Sequence, residues 1–120
     1  MIAWFKAMQP RWVYIERLTG WAGPGSRSVG TTSYKLGYST GELSGALAAL
    51  KIPYKTVPPQ TWQGKLKLTK KKVGKEKESS ANHKRRIKQH MEKLLGTHLT
   101  NALGDAAAIA WWGCQFGKDY

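Results

Sequence analysis

The stretch Trp12-Val13-Tyr14-Ile15-Glu16 decides how the fold is read. Its residues are mostly β-branched or aromatic, types that suit a pleated, packed surface. The run is also nearly continuously apolar, without the alternation of a strand that has one wet face. Such a strand is expected to be buried on both sides, as in a sheet covered by helices. Upstream, residues 1–9 (Met1 to Gln9) read as a short apolar helix that stops before Pro10. Downstream, Gly20, Gly23, Pro24, Gly25 and Ser26 mark a loop over Gly20 to Gly30. A helix is expected from about Ser33 to Leu50. Its small residues Gly41, Ser44, Gly45 and Ala48 share one stripe, which suits close approach to a sheet or another helix. Leu43, Leu47 and Leu50 form the apolar ridge beside it.

Further along, Ile52-Pro53-Tyr54-Lys55-Thr56-Val57 reads as a second strand, stopped by Pro58-Pro59. Pro59-Gln60-Thr61-Trp62 opens a short helix. Ser79 or Ser80 caps a helix that runs to about Leu95 and closes at Gly96. The last helix opens at Asn101 or Gly104 and runs from Asp105 to about Trp112, through an alanine-rich stretch of high helix propensity. The order α-β-α-β-α-α predicts an α/β fold with a small parallel sheet. Trp62, Trp111 and Trp112 are assigned to its core. Residues 1–120 read as one domain.

Charge narrows the function classes. The 120 residues carry 20 Lys+Arg against 7 Asp+Glu, a formal net charge of +13, while 41% are apolar. That apolar share excludes a wholly disordered chain. The single cysteine, Cys114, excludes an internal disulfide framework and suits a reducing compartment. No apolar run reaches the ~18 residues of a membrane helix. A balance this basic points to a polyanion, most simply nucleic acid. The charge is concentrated: Lys65 to Lys93 holds twelve Lys/Arg and three acids, Glu76, Glu78 and Glu92. Within it, Lys65, Lys67, Lys70, Lys71, Lys72 and Lys75 read as a flexible basic loop at about 65–79, and Lys84, Arg85, Arg86 and Lys88 as a basic helix face. Together they are expected to contact phosphates, giving affinity without sequence choice.

Two carboxylates stand out. Glu16 ends an apolar strand, where an ionised group is costly unless paired or metal-bound. Carboxyl ends of strands are also where α/β proteins place their sites. Asp105 follows Gly104 at an expected helix start, where the helix dipole alone would favour an acid. Were the two to meet beside a basic surface, they would suit Mg²⁺, a hard cation that takes oxygen ligands. Glu76, Glu78, Glu92 and Asp119 are expected to face solvent, and Glu42, in the middle of the small-faced helix, to be structural or solvent-facing. His83, His90, His98 and Cys114 lack zinc-ligand spacing, and His83 and His90 read as polar-face residues within reach of phosphate. Trp21 belongs to the glycine-rich loop, where stacking on an unpaired base competes with packing in the core.

Several of these segments resemble RuvC-like Holliday-junction resolvases of the ribonuclease H-like superfamily. Val13-Tyr14-Ile15-Glu16-Arg17 resembles their second catalytic strand, and Tyr34 to Leu47 the helix that follows it. Ile52 to Trp62 is similar to the next strand and turn, especially in phage-borne relatives, and Gly104 to Ala110 to the last catalytic helix. The resemblance covers most of residues 11–112. It implies an enzyme, a Mg²⁺-dependent (or Mn²⁺-dependent) endodeoxyribonuclease that resolves branched, four-way DNA, usually as a homodimer, in the cytoplasm of a bacterial or phage-infected cell. Glu16 and Asp105 match two of the family's four metal-binding catalytic carboxylates. Lys65, Lys67, Lys70, Lys71, Lys72, Lys75, Lys84, Arg85, Arg86, Lys88 and Arg27 would hold the DNA. Two features depart from the pattern: no strand with an Asp-x-Gly turn precedes Trp12, and Ala102 stands where a further acid is frequent. The expectation is therefore a ribonuclease H-like domain with an N-terminally shortened sheet flanked by helices. Self-association is expected, through the apolar edge that shortening would leave open on residues 12–16 or through the helix of residues 33–50. The alternative is a non-catalytic junction- or DNA-binding module on the same fold.

Overall fold

The computed structural model describes residues 2–17 and 30–120. The expected Gly20–Gly30 loop, with Trp21 and Arg27, falls almost wholly outside them. The architecture is mixed α/β, with five α-helices and short strands among the described residues. The chain divides into two compact units, Met1–Thr56 and Val57–Tyr120.

The first unit begins with α1 (Ile2–Met8) and β1 (Val13–Glu16), continues with the twenty-residue α2 (Gly30–Ala49), and leads into β2 (Tyr54–Val57). Each helix is followed by a residue with positive φ, Gln9 (φ 44°) directly after α1 and Lys51 (φ 57°) two residues beyond α2. After α2, the Ile52 N–H reaches back to the Leu47 carbonyl at 2.9 Å, which satisfies a carbonyl the helix end would leave open. The turn delivers the chain to β2, and the Pro53 carbonyl accepts from the Val13 N–H at 3.0 Å. β1 and β2 are neighbours in a two-stranded sheet.

Two expectations for this unit are corrected. β1 is not buried on both faces: each of its four residues is half-buried, and Trp12 before it is 49% exposed, with Lys55 Nζ lying 5.1 Å from its ring centre. A sheet of two strands is too narrow to be enclosed. Nor does the small-residue stripe of α2 meet a partner among the described residues. A Cβ built on Gly41 or Gly45 would find no atom within 4 Å, and Ala48 is exposed. The buried positions of α2 are Ala46 and Leu47, joined in the core by Phe5 of α1.

The second unit holds α3 (Pro59–Lys65), a hairpin of β3 (Lys72–Val73) and β4 (Glu76–Lys77), α4 (Ser80–Leu95), α5 (Asn101–Phe116) and a final 3₁₀ turn, Gly117–Asp119. Its core is formed by Val57, Trp62, Leu68, Ile87, Met91, Ala108, Ile109 and Trp112. Trp112 also meets the ring of Tyr120 edge-on, 5.2 Å between centres. The sequence explains α4 closely. Ser79 accepts the Asn82 N–H at 3.1 Å and Gly96 closes the helix at φ 68°, as expected.

Here too the structure revises two readings. The basic loop at 65–79 contains an antiparallel hairpin, with Lys72 opposite Lys77 and Val73 opposite Glu76. Gly74, at φ 62°, takes the first position of the two-residue turn, where the backbone must be left-handed. The last helix opens at Asn101, the earlier of the two expected starts, and runs on past Trp112 to Phe116. Thr100 is its N-cap, accepting from the Leu103 N–H at 3.2 Å, so Asp105 lies in the second turn, not at the helix start. Asp105 is therefore not a residue that the dipole of the first turn accounts for.

Candidate functional site

The second unit builds its site from the α4–α5 crossing outward. Ile87 and Met91, four residues apart, turn one face of α4 into the core. Lys84, one turn before Ile87 on the same side of α4, and Arg85 next to it are exposed near the helix start. α5 crosses this helix at Gly104, which is buried. A Cβ there would lie 3.0 Å from Lys88 Cα and 3.4 Å from Lys88 N. Both are backbone atoms, so any side chain here would have to push α4 back by a few tenths of an ångström, and glycine lets the helices meet without that shift. The next residue, Asp105, is thereby held beside α4.

Asp105 is half-buried, and its Oδ1 is shielded from solvent with no hydrogen-bond partner. Burial raises its pKa above the ordinary carboxylate value, while the charges of Lys84 and His83 pull the other way. His83 is held in place by its own contact: Nε2–H donates to the Leu68 carbonyl at 2.6 Å. An orphaned carboxylate oxygen near Lys84 is an acceptor without a donor, and a cation or a proton would satisfy it.

The hairpin rises from a clamp that the sequence reading missed. Arg86 Nε and Nη2 donate to the two oxygens of Glu78 at 3.0 and 2.9 Å, and Nη2 also donates to the Thr69 carbonyl at 2.6 Å. Glu78 accepts in addition from the Lys71 N–H at 3.1 Å. The Arg86 bonds first, then that backbone bond, lower the Glu78 pKa from 4.5 to about 2. Glu78 is thus a half-buried anchor and not a solvent-facing acid. Glu92 departs from the expectation in the same way: it accepts from the Leu99 N–H and from His98 Nδ1–H, both at 3.1 Å, and its pKa is lowered by those bonds in that order. The signal that would have found the hairpin is Gly74-Lys75 between Val73 and Glu76, a two-residue turn with glycine first.

The cationic residues separate by role. Lys67, Lys71, Lys72, Lys75, Lys84 and Arg85 are exposed. Lys65 is exposed with its Nζ 5.4 Å from the Phe116 ring centre, and Lys70 Nζ donates to Ser80 Oγ at 3.2 Å. Lys88 is half-buried at the Gly104 contact, and Arg86 is committed to the clamp. Arg27 lies outside the described residues. Glu16 ends β1 in the first unit, half-buried; Glu42 and Glu76 are exposed, as expected. Among the described residues no group of three or more His, Cys, Asp or Glu comes together. Ala102 is exposed on α5, one turn before Asp105.

No protein-family model, no curated protein and no solved structure matches the chain. What the fold and the site define is a mixed α/β protein whose second unit carries a strongly basic, exposed hairpin and helix face beside one shielded carboxylate. No helix among the described residues is long and apolar enough to cross a membrane.

Proposed function

We propose that the chain is a RuvC-like, ribonuclease H-like endodeoxyribonuclease that binds and resolves branched DNA. The observation that carries this reading is Asp105: a shielded, unpartnered carboxylate oxygen next to exposed Lys84, on the unit that bears the lysine hairpin. An acid kept desolvated at a cost to stability, beside a surface suited to polyanions, is a functional-site signature. Asp105 would be a carboxylate ligand of Mg²⁺, with Mn²⁺ as substitute; Glu16 is retained as a ligand on the resemblance alone. The ion would offset charge on the scissile phosphate. Lys67, Lys71, Lys72, Lys75, Lys84 and Arg85 would neutralise flanking phosphates, with Lys65, Lys70 and Lys88 at the edge of that surface. Exposed Cys114 suits a reducing, cytoplasmic setting. Self-association into a homodimer fits the open glycine face of α2 and the exposed rings of Tyr34 and Tyr38 beside it.

The test is cleavage of a synthetic four-way junction in Mg²⁺, with Glu16→Gln and Asp105→Asn as controls. Nicking near the crossover that is lost in both variants is the expected result; cleavage indifferent to both would reject the assignment. A second reading, a junction-binding module without catalysis, is favoured by exposed Ala102 and by the want of a three-ligand cluster among the described residues. It predicts a junction gel shift without nicking in either Mg²⁺ or Mn²⁺.

A further inference from the structure

The β3–β4 hairpin carries two features that a merely solvated lysine loop does not need. First, Lys72 and Lys77 stand directly opposite each other across the two strands, so they share one face of the ribbon. Like charges in that position repel, and an anion bound between them would relieve the repulsion. Second, Val73 is 81% exposed, and no large apolar side chain among the described residues is more so. It shares the opposite face with Glu76 and immediately precedes the Gly74-Lys75 turn, so it stands at the tip.

The hairpin is also held as an isolated two-stranded ribbon would not be. Alone, such a ribbon is marginal in water. Here Glu78 N–H donates to the Lys71 carbonyl at 2.8 Å, and Arg86 ties Glu78 to Thr69 at the base. The base is fixed to α4 while every residue from Lys71 to Lys77 is exposed. A two-stranded ribbon fits the DNA major groove, about 12 Å wide. DNA-bending proteins that enter the minor groove insert apolar side chains between base steps and partly unstack them, and at a branch point that unstacking costs less.

We propose that the hairpin is a DNA-inserting ribbon: Lys72 and Lys77 bridge backbone phosphates, and Val73 packs against an unstacked base at the branch point. This rests on the branched-DNA reading above and names the group that would sense the branch. Its chemistry needs no metal and no carboxylate, so it stands whether or not the chain cleaves.

The experiment uses the full chain and four-way junctions carrying 2-aminopurine at, or ten base pairs away from, the crossover. Binding in EDTA is expected to raise the fluorescence of the crossover probe at least about twofold and to leave the distant probe unchanged, as unstacking requires. Val73→Ser removes most of that rise while weakening affinity less than about threefold, and Val73→Ile keeps it, since phosphate contacts carry most of the affinity. Lys72→Gln with Lys77→Gln leaves the probe response of bound complexes intact but lowers the salt slope of binding by about 1.8, or about 0.9 for each phosphate no longer neutralised. Amide protection at Lys71 and Glu78 checks that each variant keeps the hairpin. Junction binding with no crossover response, or a full response from Val73→Ser, overturns the insertion and leaves the DNA-binding reading standing. A chain that binds no junction overturns both, and points the hairpin towards an acidic protein surface.

Discussion

The two units invert what their compositions lead one to expect. The first, Met1–Thr56, is the richer in exposed aromatic and apolar side chains: Trp4, Met8, Trp12, Tyr34, Leu36 and Tyr38 all face outward, and the buried apolar positions described are Phe5, Ala46 and Leu47. The second, Val57–Tyr120, carries the lysine-rich segment and yet encloses Trp62, Leu68, Ile87, Met91, Ala108, Ile109 and Trp112. The difference lies in partners, not in hydrophobicity. In the second unit α5 finds α4 at Gly104, and most of the lysines stay exposed while the core closes beneath them. In the first, the glycine stripe of α2 has the shape for a close partner and meets none among the described residues.

This contrast can be broken by mutation. The largest effect is expected in the second core: Trp112→Ala should cost about 3–5 kcal/mol in chemical denaturation, whereas Trp4→Ala, at an exposed position of α1, should change stability by no more than about 0.5 kcal/mol. Equal costs would mean that the first unit is packed as tightly as the second. Next come the glycines. Gly104→Ala drives a Cβ into the backbone of Lys88 and should destabilise by about 1–3 kcal/mol. Gly41→Ala meets open space, so in dilute monomer it should stabilise α2 by about 0.5–1 kcal/mol. If α2 joins two copies, the same substitution should instead weaken the dimer seen by sedimentation.

The smallest effects are electrostatic and are read against pH. The Glu78 carboxyl is held at about 2 by Arg86 and the Lys71 N–H, below its ordinary 4.5. A lowered acid stabilises the fold fully above its unfolded value and loses that contribution as pH falls. The stability advantage of wild type over Glu78→Gln should therefore be level above about pH 5 and fade between about 4.5 and 2, with amide exchange at Lys71 reporting the same window. Asp105 has the opposite sign. Its raised pKa means that ionisation costs stability above the folded value, and that the cost vanishes as pH falls below the unfolded one, near 3.8. Asp105→Asn should thus raise Tm at pH 7 and leave it unchanged at pH 3. No rise at pH 7 would remove the desolvation on which the site rests.

Much of this was legible along the chain. The Ser79 cap, the Gly96 stop, the strand ending at Glu16 and the Trp62 and Trp112 core all follow from local rules: cap chemistry, left-handed glycine, β-branched runs and apolar spacing. Solvent-facing Glu76 was readable in the same way. Glu78 and Glu92 were not, because their partners, Arg86, Lys71 and Leu99, come to them only through turns. For Asp105 the sequence also offered a plain alternative, an acid favoured in the first turn of a helix; with Thr100 as the N-cap that alternative falls away, and the crossing that shields the carboxylate is what sets it apart.

The sequence by itself determined the helix and strand order outside the 65–79 hairpin, the +13 charge and its confinement largely to Lys65–Lys93, because these rest on neighbours within a few residues and on simple composition. Only the tertiary structure decided which charges are spent on the protein and which remain exposed. Arg86 and Lys84 are the same kind of residue two positions apart on one helix. The first is taken by Glu78 and Thr69, and the second is left exposed beside Asp105. That choice depends on which loop the helix packs against, and no local rule encodes it.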